Sequence, residues 1–169
     1  MKKLNIYIAH SLTTAPSEFL ARMKTLRNEV RGFPGIRVLD FAWERGPEFN
    51  ARVNVYEYDM ECVRRADLVV AILDYGSSGT PMEIQACCQK RFPSLVCFSR
   101  PETKVSKIIP DCIRFHRQRL DQSNWPEAKK RLVDLPDPIQ YSEDSEIVQY
   151  VIRWMRQRQR IRELVCYMS

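Results

Sequence analysis

Two carboxylates and a tyrosine carry the chain's best prospects for chemistry. Glu83 follows the stretch DYGSSGTPM, which holds two of the chain's five glycines. Asp59 lies in VYEYDMECVRRAD, three residues after Tyr56 and four before Val63. It therefore shares a helix's apolar face, where a carboxylate is costly unless paired, hydrogen-bonded or open to a cleft. Tyr7 sits in the apolar run Leu4–Ala9. Ser77, Ser78 and Gly79 put hydroxyls and unhindered backbone just before a helix N-terminus, where free N–H groups favour an anion such as phosphate. Two carboxylates and a tyrosine beside an anion-binding loop suit chemistry at an anomeric carbon. One carboxylate attacks C1′ of a sugar through an oxocarbenium-like transition state, and the glycosyl-enzyme then passes to an acceptor. The second carboxylate, or water, assists the departing base.

Each of these residues also has a purely structural use. Thr80-Pro81-Met82-Glu83 fits a capping box, with Thr80 as cap, Pro81 in the first helical position and Glu83 bonding the cap's own N–H. The glycine–serine stretch fits a plain turn. Asp59 fits a helix edge reaching solvent, Asp67 a turn before a strand, and Tyr7 a core residue whose hydroxyl finds a partner.

Positioning these groups falls to alternating strands and helices. Leu4–Ala9, Ile36–Phe41, Asp67–Leu73 and Ser94–Phe98 read as strands, with a weaker one near Ile139–Tyr141. Helical faces come from Phe19, Leu20, Met23, Leu26 and Val30, from Val53, Tyr56, Met60 and Val63, and from Ile147, Tyr150, Val151, Trp154 and Ile161. The pattern predicts one α/β domain over residues 1–169, a doubly wound parallel sheet of about five strands of flavodoxin-like or Rossmann-like type. Ligands of such sheets bind beyond the strands' carboxyl ends where strand order reverses. If strands one and three flank that point, loops 10–14 and 74–80 meet there. Residues 111–137 fit the alternation poorly and read as an insertion or lid before the last strand. Residues 142–165 read as an amphipathic basic helix after the cap Ser142. Neither GxxxxGK[ST] nor GxGxxG occurs, so P-loop and dinucleotide folds are not indicated.

Bulk composition narrows the class further. A chain of 169 residues with 44% hydrophobic and 28% charged residues is that of a globular domain with a full core. No apolar run approaches the ~20 residues that span a bilayer. The start, MKKLNIYIAH, reads as a first strand and not a signal peptide. Six cysteines without a CxxC pair suit reduced core thiols and a cytoplasmic setting. Two histidines without ligand-like spacing give no expectation of a metal site. The net charge of +6 favours anionic partners. The arginines at 153, 156, 158, 160 and 162 read as a solvated helix face, and the apolar face opposite argues for packing over nucleic-acid binding.

The stretches IYIAHS, YDMECVRRADLVVAILDYGSSGTPMEI and CFSRPETKVSKII resemble the nucleoside 2-deoxyribosyltransferase superfamily, and within it the 2′-deoxynucleoside 5′-monophosphate N-glycosidases. The most specific element couples Asp59, eight residues before Asp67, to Glu83 after Gly-Thr-x-x. The resemblance implies that Glu83 is the nucleophile, that Asp59 assists at the sugar and leaving base, and that Tyr7 orients the nucleophile. It implies phosphate-facing roles for Ser77, Gly79 and Ser11, and for Ser106 reaching in from a neighbouring subunit. The implied assembly is a homodimer with shared sites acting on a small nucleotide, without cofactor or metal. Serine at 77, where the transferases carry aspartate, favours hydrolysis. The hydrolases' glycine-rich first loop with its arginine is replaced by AHSLTTAP, in which His10 or Thr13 stand as substitutes. A deoxyribosyltransferase and a catalytically silent nucleotide-binding domain are the alternative expectations.

Overall fold

In the computed structural model, which describes residues 3–89, 94–130 and 133–167, the elements alternate as the sequence pattern requires. The order is β1 (Leu4–His10), α1 (Ser17–Arg31), β2 (Ile36–Leu39), a 3₁₀ turn (Ala42–Arg45), α2 (Pro47–Asn50), α3 (Val55–Arg65), β3 (Leu68–Ile72), α4 (Gly79–Gln89), β4 (Ser94–Ser99), α5 (Ile108–Asp121), α6 (Glu127–Lys130), β5 (Ile139–Gln140) and α7 (Asp144–Tyr167). The strands form one parallel sheet in the order β2-β1-β3-β4-β5. This is the doubly wound arrangement, with its reversal between β1 and β3.

The pleat assigns every strand residue to a face, because successive side chains alternate. Ile6 and Ile8 of β1 join Val70 and Val96 under α1 and α7, against Phe19, Met23, Leu26, Val151 and Trp154. Tyr7 and Ala9 point the other way, into the core formed with Val63 of α3, Ile84 and Cys87 of α4, and Ile113 of α5. All five residues of β3 and all six of β4 are buried, as strands covered on both faces must be. Tyr7 pairs in register with Val69 of β3 and Leu39 of β2, so it is fixed at the sheet's centre beneath α3 and α4.

Of the segment 111–137, expected as an insertion or lid, residues 111–121 belong to α5, which lies between β4 and β5 in the chain. Ile109, Ile113, His116 and Leu120 are its buried side, at helical spacing. The pattern is hard to see in sequence because Phe115 and Ile108 are exposed apolar residues and His116 is a buried polar one. Behind α5, Arg117 holds the chain before β5 through the Leu135 carbonyl and Asp137.

Candidate active site

Glu83 projects from the second turn of α4 toward β1, where the Tyr7 hydroxyl donates to its Oε1 at 2.5 Å. The bond spans the core between helix and sheet and leaves Oε2 without a tyrosine partner. Burial lifts the Glu83 pKa to about 7; the Tyr7 bond opposes the rise and the Asp59 charge adds to it. Tyr7 is pushed well above the usual phenol range, first by burial and then by the charges of Glu83 and Asp59. It stays a neutral donor. Asp59 is half-buried on α3, and its Oδ1 accepts the Ala42 N–H at 2.8 Å. Its pKa is raised by burial, against the lowering effect of that bond. The cost of a carboxylate on an apolar helix face is thus met partly by a backbone donor from the turn after β2. The structure brings Tyr7, Asp59 and Glu83 into mutual electrostatic reach from three separate elements.

The helix start differs from the expected capping box. Ser77, not Thr80, is the cap: its Oγ accepts the Thr80 N–H at 3.0 Å and donates to Thr80 Oγ1 at 2.9 Å. Helix α4 begins at Gly79, so Pro81 stands in its third position and Glu83 is released from capping to meet Tyr7. A Cβ at Gly76 or Gly79 would meet nothing within 4 Å, and neither residue has a positive φ. The fold makes no demand for glycine at either place.

Loops 10–14 and 74–80 meet at the strand reversal, as expected. The hydroxyls of Ser11 and Thr14 lie 2.8 Å apart and both reach the Gly76 carbonyl. Ser11 is fully buried, so in this state it ties loop to loop, while Thr13 is exposed. His10 turns into the interior. Its Nδ1 donates to the Ser11 carbonyl at 2.9 Å, and Nε2 accepts from Arg27 Nη1 at 3.0 Å. Phe19 and Phe41 pack edge-on against the ring. Burial drives the His10 pKa down to about 4. Arg27, itself 2% exposed, pairs with Glu44 of the 3₁₀ turn and lies over the Phe41 ring. His10 therefore braces the turn that supplies the Asp59 partner.

A cleft of about 700 Å³ opens over the ends of β3 and β4. Ser77, Thr80, Ser106, Arg22, Arg100 and Lys104 are among its lining residues. Ser106 lies on this rim within the same chain as Ser77, so a single chain brings the two serines together. Sequence reasoning missed Arg100 and Lys104, which follow β4 at the same carboxyl edge of the sheet and line the cleft together with Asp74 and Glu102. Arg22 pairs with Asp144 at 2.5 Å. Asp74 accepts from the Arg100 N–H at 2.9 Å and from the Tyr141 hydroxyl, and the Arg100 guanidinium stacks over Tyr141. Glu83, Asp59 and Tyr7 do not line the cleft. Of the three, Glu83 lies one helical turn beyond Thr80, about 5 Å along α4.

No family model matches the chain, and no curated protein matches its sequence. Among solved structures, the chain is similar to the CMP N-glycosidase BcmB of Clostridium botulinum. The TM-score is 0.51 at 14% identity, covering 87% of this chain and 97% of that one. At that identity the likeness shows a shared fold. A weaker likeness is to Smu.1420 from Streptococcus mutans UA159, with TM-score 0.40, 14% identity, and coverage of 91% and 100% of the two chains.

Proposed function

We propose that the chain is an N-glycosidase that hydrolyses nucleoside 5′-monophosphates to free base and sugar 5-phosphate. The observation that carries this reading is the Tyr7–Glu83 hydrogen bond, made to a buried carboxylate whose pKa is near 7 and beside which Asp59 is also held above its ordinary range. Tyr7 fixes one oxygen of Glu83 and leaves the other to attack C1′. The C1′–N bond breaks and its electron pair leaves with the base, which takes a proton from Asp59 or water. Water then attacks C1′ of the glycosyl ester, releases Glu83 and gives up a proton to Asp59. The 5′-phosphate sits in the cleft, on Ser77 and Ser106 and the cations Arg100 and Lys104, at the N-terminus of α4, whose first residue is Gly79. The one-turn offset from Thr80 to Glu83 matches the reach of a pentose from its 5′-phosphate to its anomeric carbon. The likeness of fold to a CMP N-glycosidase supports the reading.

A second reading is a nucleotide-binding domain without turnover, favoured by the placing of all three reactive groups outside the cleft lining. Chromatographic assay of base release from nucleosides, ribonucleotides and deoxynucleotides separates the two. We expect release from monophosphates and a loss of about a thousandfold or more in Glu83→Gln. Binding without release supports the silent domain. Base exchange on free nucleosides points to a transferase.

A further inference from the structure

Helices α4 and α5 bring together three side chains that the proposed chemistry leaves unused. Cys88 lies near the end of α4. Cys112 and His116 lie one turn apart on α5, at the i,i+4 spacing that puts two ligands on one helix face. The two sulfurs and a ring nitrogen all lie within 4.8 Å of one another. Tetrahedral zinc at ordinary Zn–S and Zn–N lengths needs such ligands at roughly 3.5–3.8 Å, so closure takes shifts of about 1 Å. Cys88 and His116 are buried and Cys112 is half-buried, which leaves one open side. On that side Cys112 Sγ is 4.0 Å from Gln85 Oε1 of α4, an acceptor able to orient a bound water. The two soft thiolates and one imidazole match zinc and not a hard oxygen-seeking cation. The sequence hid this set because 24 residues separate Cys88 from Cys112.

We propose that Cys88, Cys112 and His116 form a zinc-class metal site, with water as the fourth ligand, that staples α4 to α5. Binding is balanced by release of two thiol protons, with no change of oxidation state. The staple lies five residues beyond Glu83 on the same helix. It fixes the scaffold of the proposed nucleophile without entering its chemistry, and it stands or falls independently of the proposed activity.

The test is a cobalt(II) titration of the reduced whole protein, followed by absorption spectroscopy. It is run on the folded chain and again after refolding with cobalt present, so that slow access to a buried site is not mistaken for absence. The expected result is a thiolate-to-cobalt charge-transfer band with tetrahedral visible bands. These should saturate at one ion per chain, with release of about two protons and displacement by zinc. A rise in Tm should accompany binding. Cys112→Ser and His116→Gln should lose the bands while keeping native circular dichroism, and Cys87→Ser, a buried neighbour outside the set, should keep them. Cys112→Ser is the decisive variant if Cys88→Ser fails to fold, because Cys112 is only half-buried. Absence of the thiolate band in both preparations, or its survival in Cys112→Ser, overturns the proposal.

Discussion

A glutamate attacks carbon only as its anion, and burial holds Glu83 protonated over half the physiological range by lifting its pKa to about 7. Tyr7 pulls the other way by donating to the carboxylate. Base release, measured as kcat/KM in free enzyme, should therefore rise with pH through about 7. Tyr7→Phe removes a hydrogen bond that favours the anion, so the acid limb should move to higher pH. At pH 6 the variant should lose about tenfold or more in kcat/KM, and the loss should shrink as pH rises. A uniform loss at every pH would mean that Tyr7 holds the carboxylate in place without tuning its charge. Asp59, also raised by burial, keeps a larger protonated fraction than an exposed aspartate and is suited to deliver a proton to the base.

At the scale of the element, the start of α4 joins the cleft to Glu83, the proposed nucleophile. Ser77 both caps this helix and lines the cleft, and the two duties can be separated. Aspartate caps as well as serine, whereas alanine loses about 1 kcal/mol at a cap. Ser77→Asp should therefore keep the wild-type Tm yet lose tenfold or more in monophosphate use, because an anion would face the phosphate. Ser77→Ala should lose stability and change monophosphate use far less. Equal use by wild type and Ser77→Asp would remove Ser77 from the phosphate site. The cap also marks where sequence and structure part. Serine-x-x-threonine and threonine-x-x-glutamate overlap in the string SSGTPME, and pattern alone does not choose between them; the pull of Tyr7 on Glu83 does. The strands were legible because greasy runs are local signals, and the meeting of the two loops followed from the doubly wound class. Helix α5 was not legible, since its exposed Phe115 and buried His116 invert the usual code. The inward turn of His10 onto Arg27, and the gathering of Cys88, Cys112 and His116, depend on contacts that no local pattern encodes.

Across the whole molecule, two buried titratable groups set opposing slopes on stability. His10 is lowered from 6.5 to about 4, so the unfolded chain binds its proton more readily. The stability it contributes is complete above pH 6.5 and is lost as pH falls toward 4. Glu83 is raised from 4.5 to about 7, so the folded chain holds its proton longer. Its contribution is complete below pH 4.5 and is lost as pH rises through 7. Each shift corresponds to roughly 3 kcal/mol across its window. Between pH 4.5 and 6.5 the two oppose each other, with His116 acting in the same direction as His10 and Asp59 in the same direction as Glu83. Glu83→Gln removes one of the two. In that variant Tm should climb more steeply with pH over this range, and above pH 7 it should exceed the wild-type value because no buried anion remains to be desolvated. Thermal unfolding of both proteins from pH 4.5 to 8 measures the difference directly. Parallel curves would mean that Glu83 ionises as freely folded as unfolded, which is incompatible with a buried nucleophile. Diverging curves, with base release lost in the same variant, would identify an ionised glutamate that destabilises the free protein and is needed at the anomeric carbon.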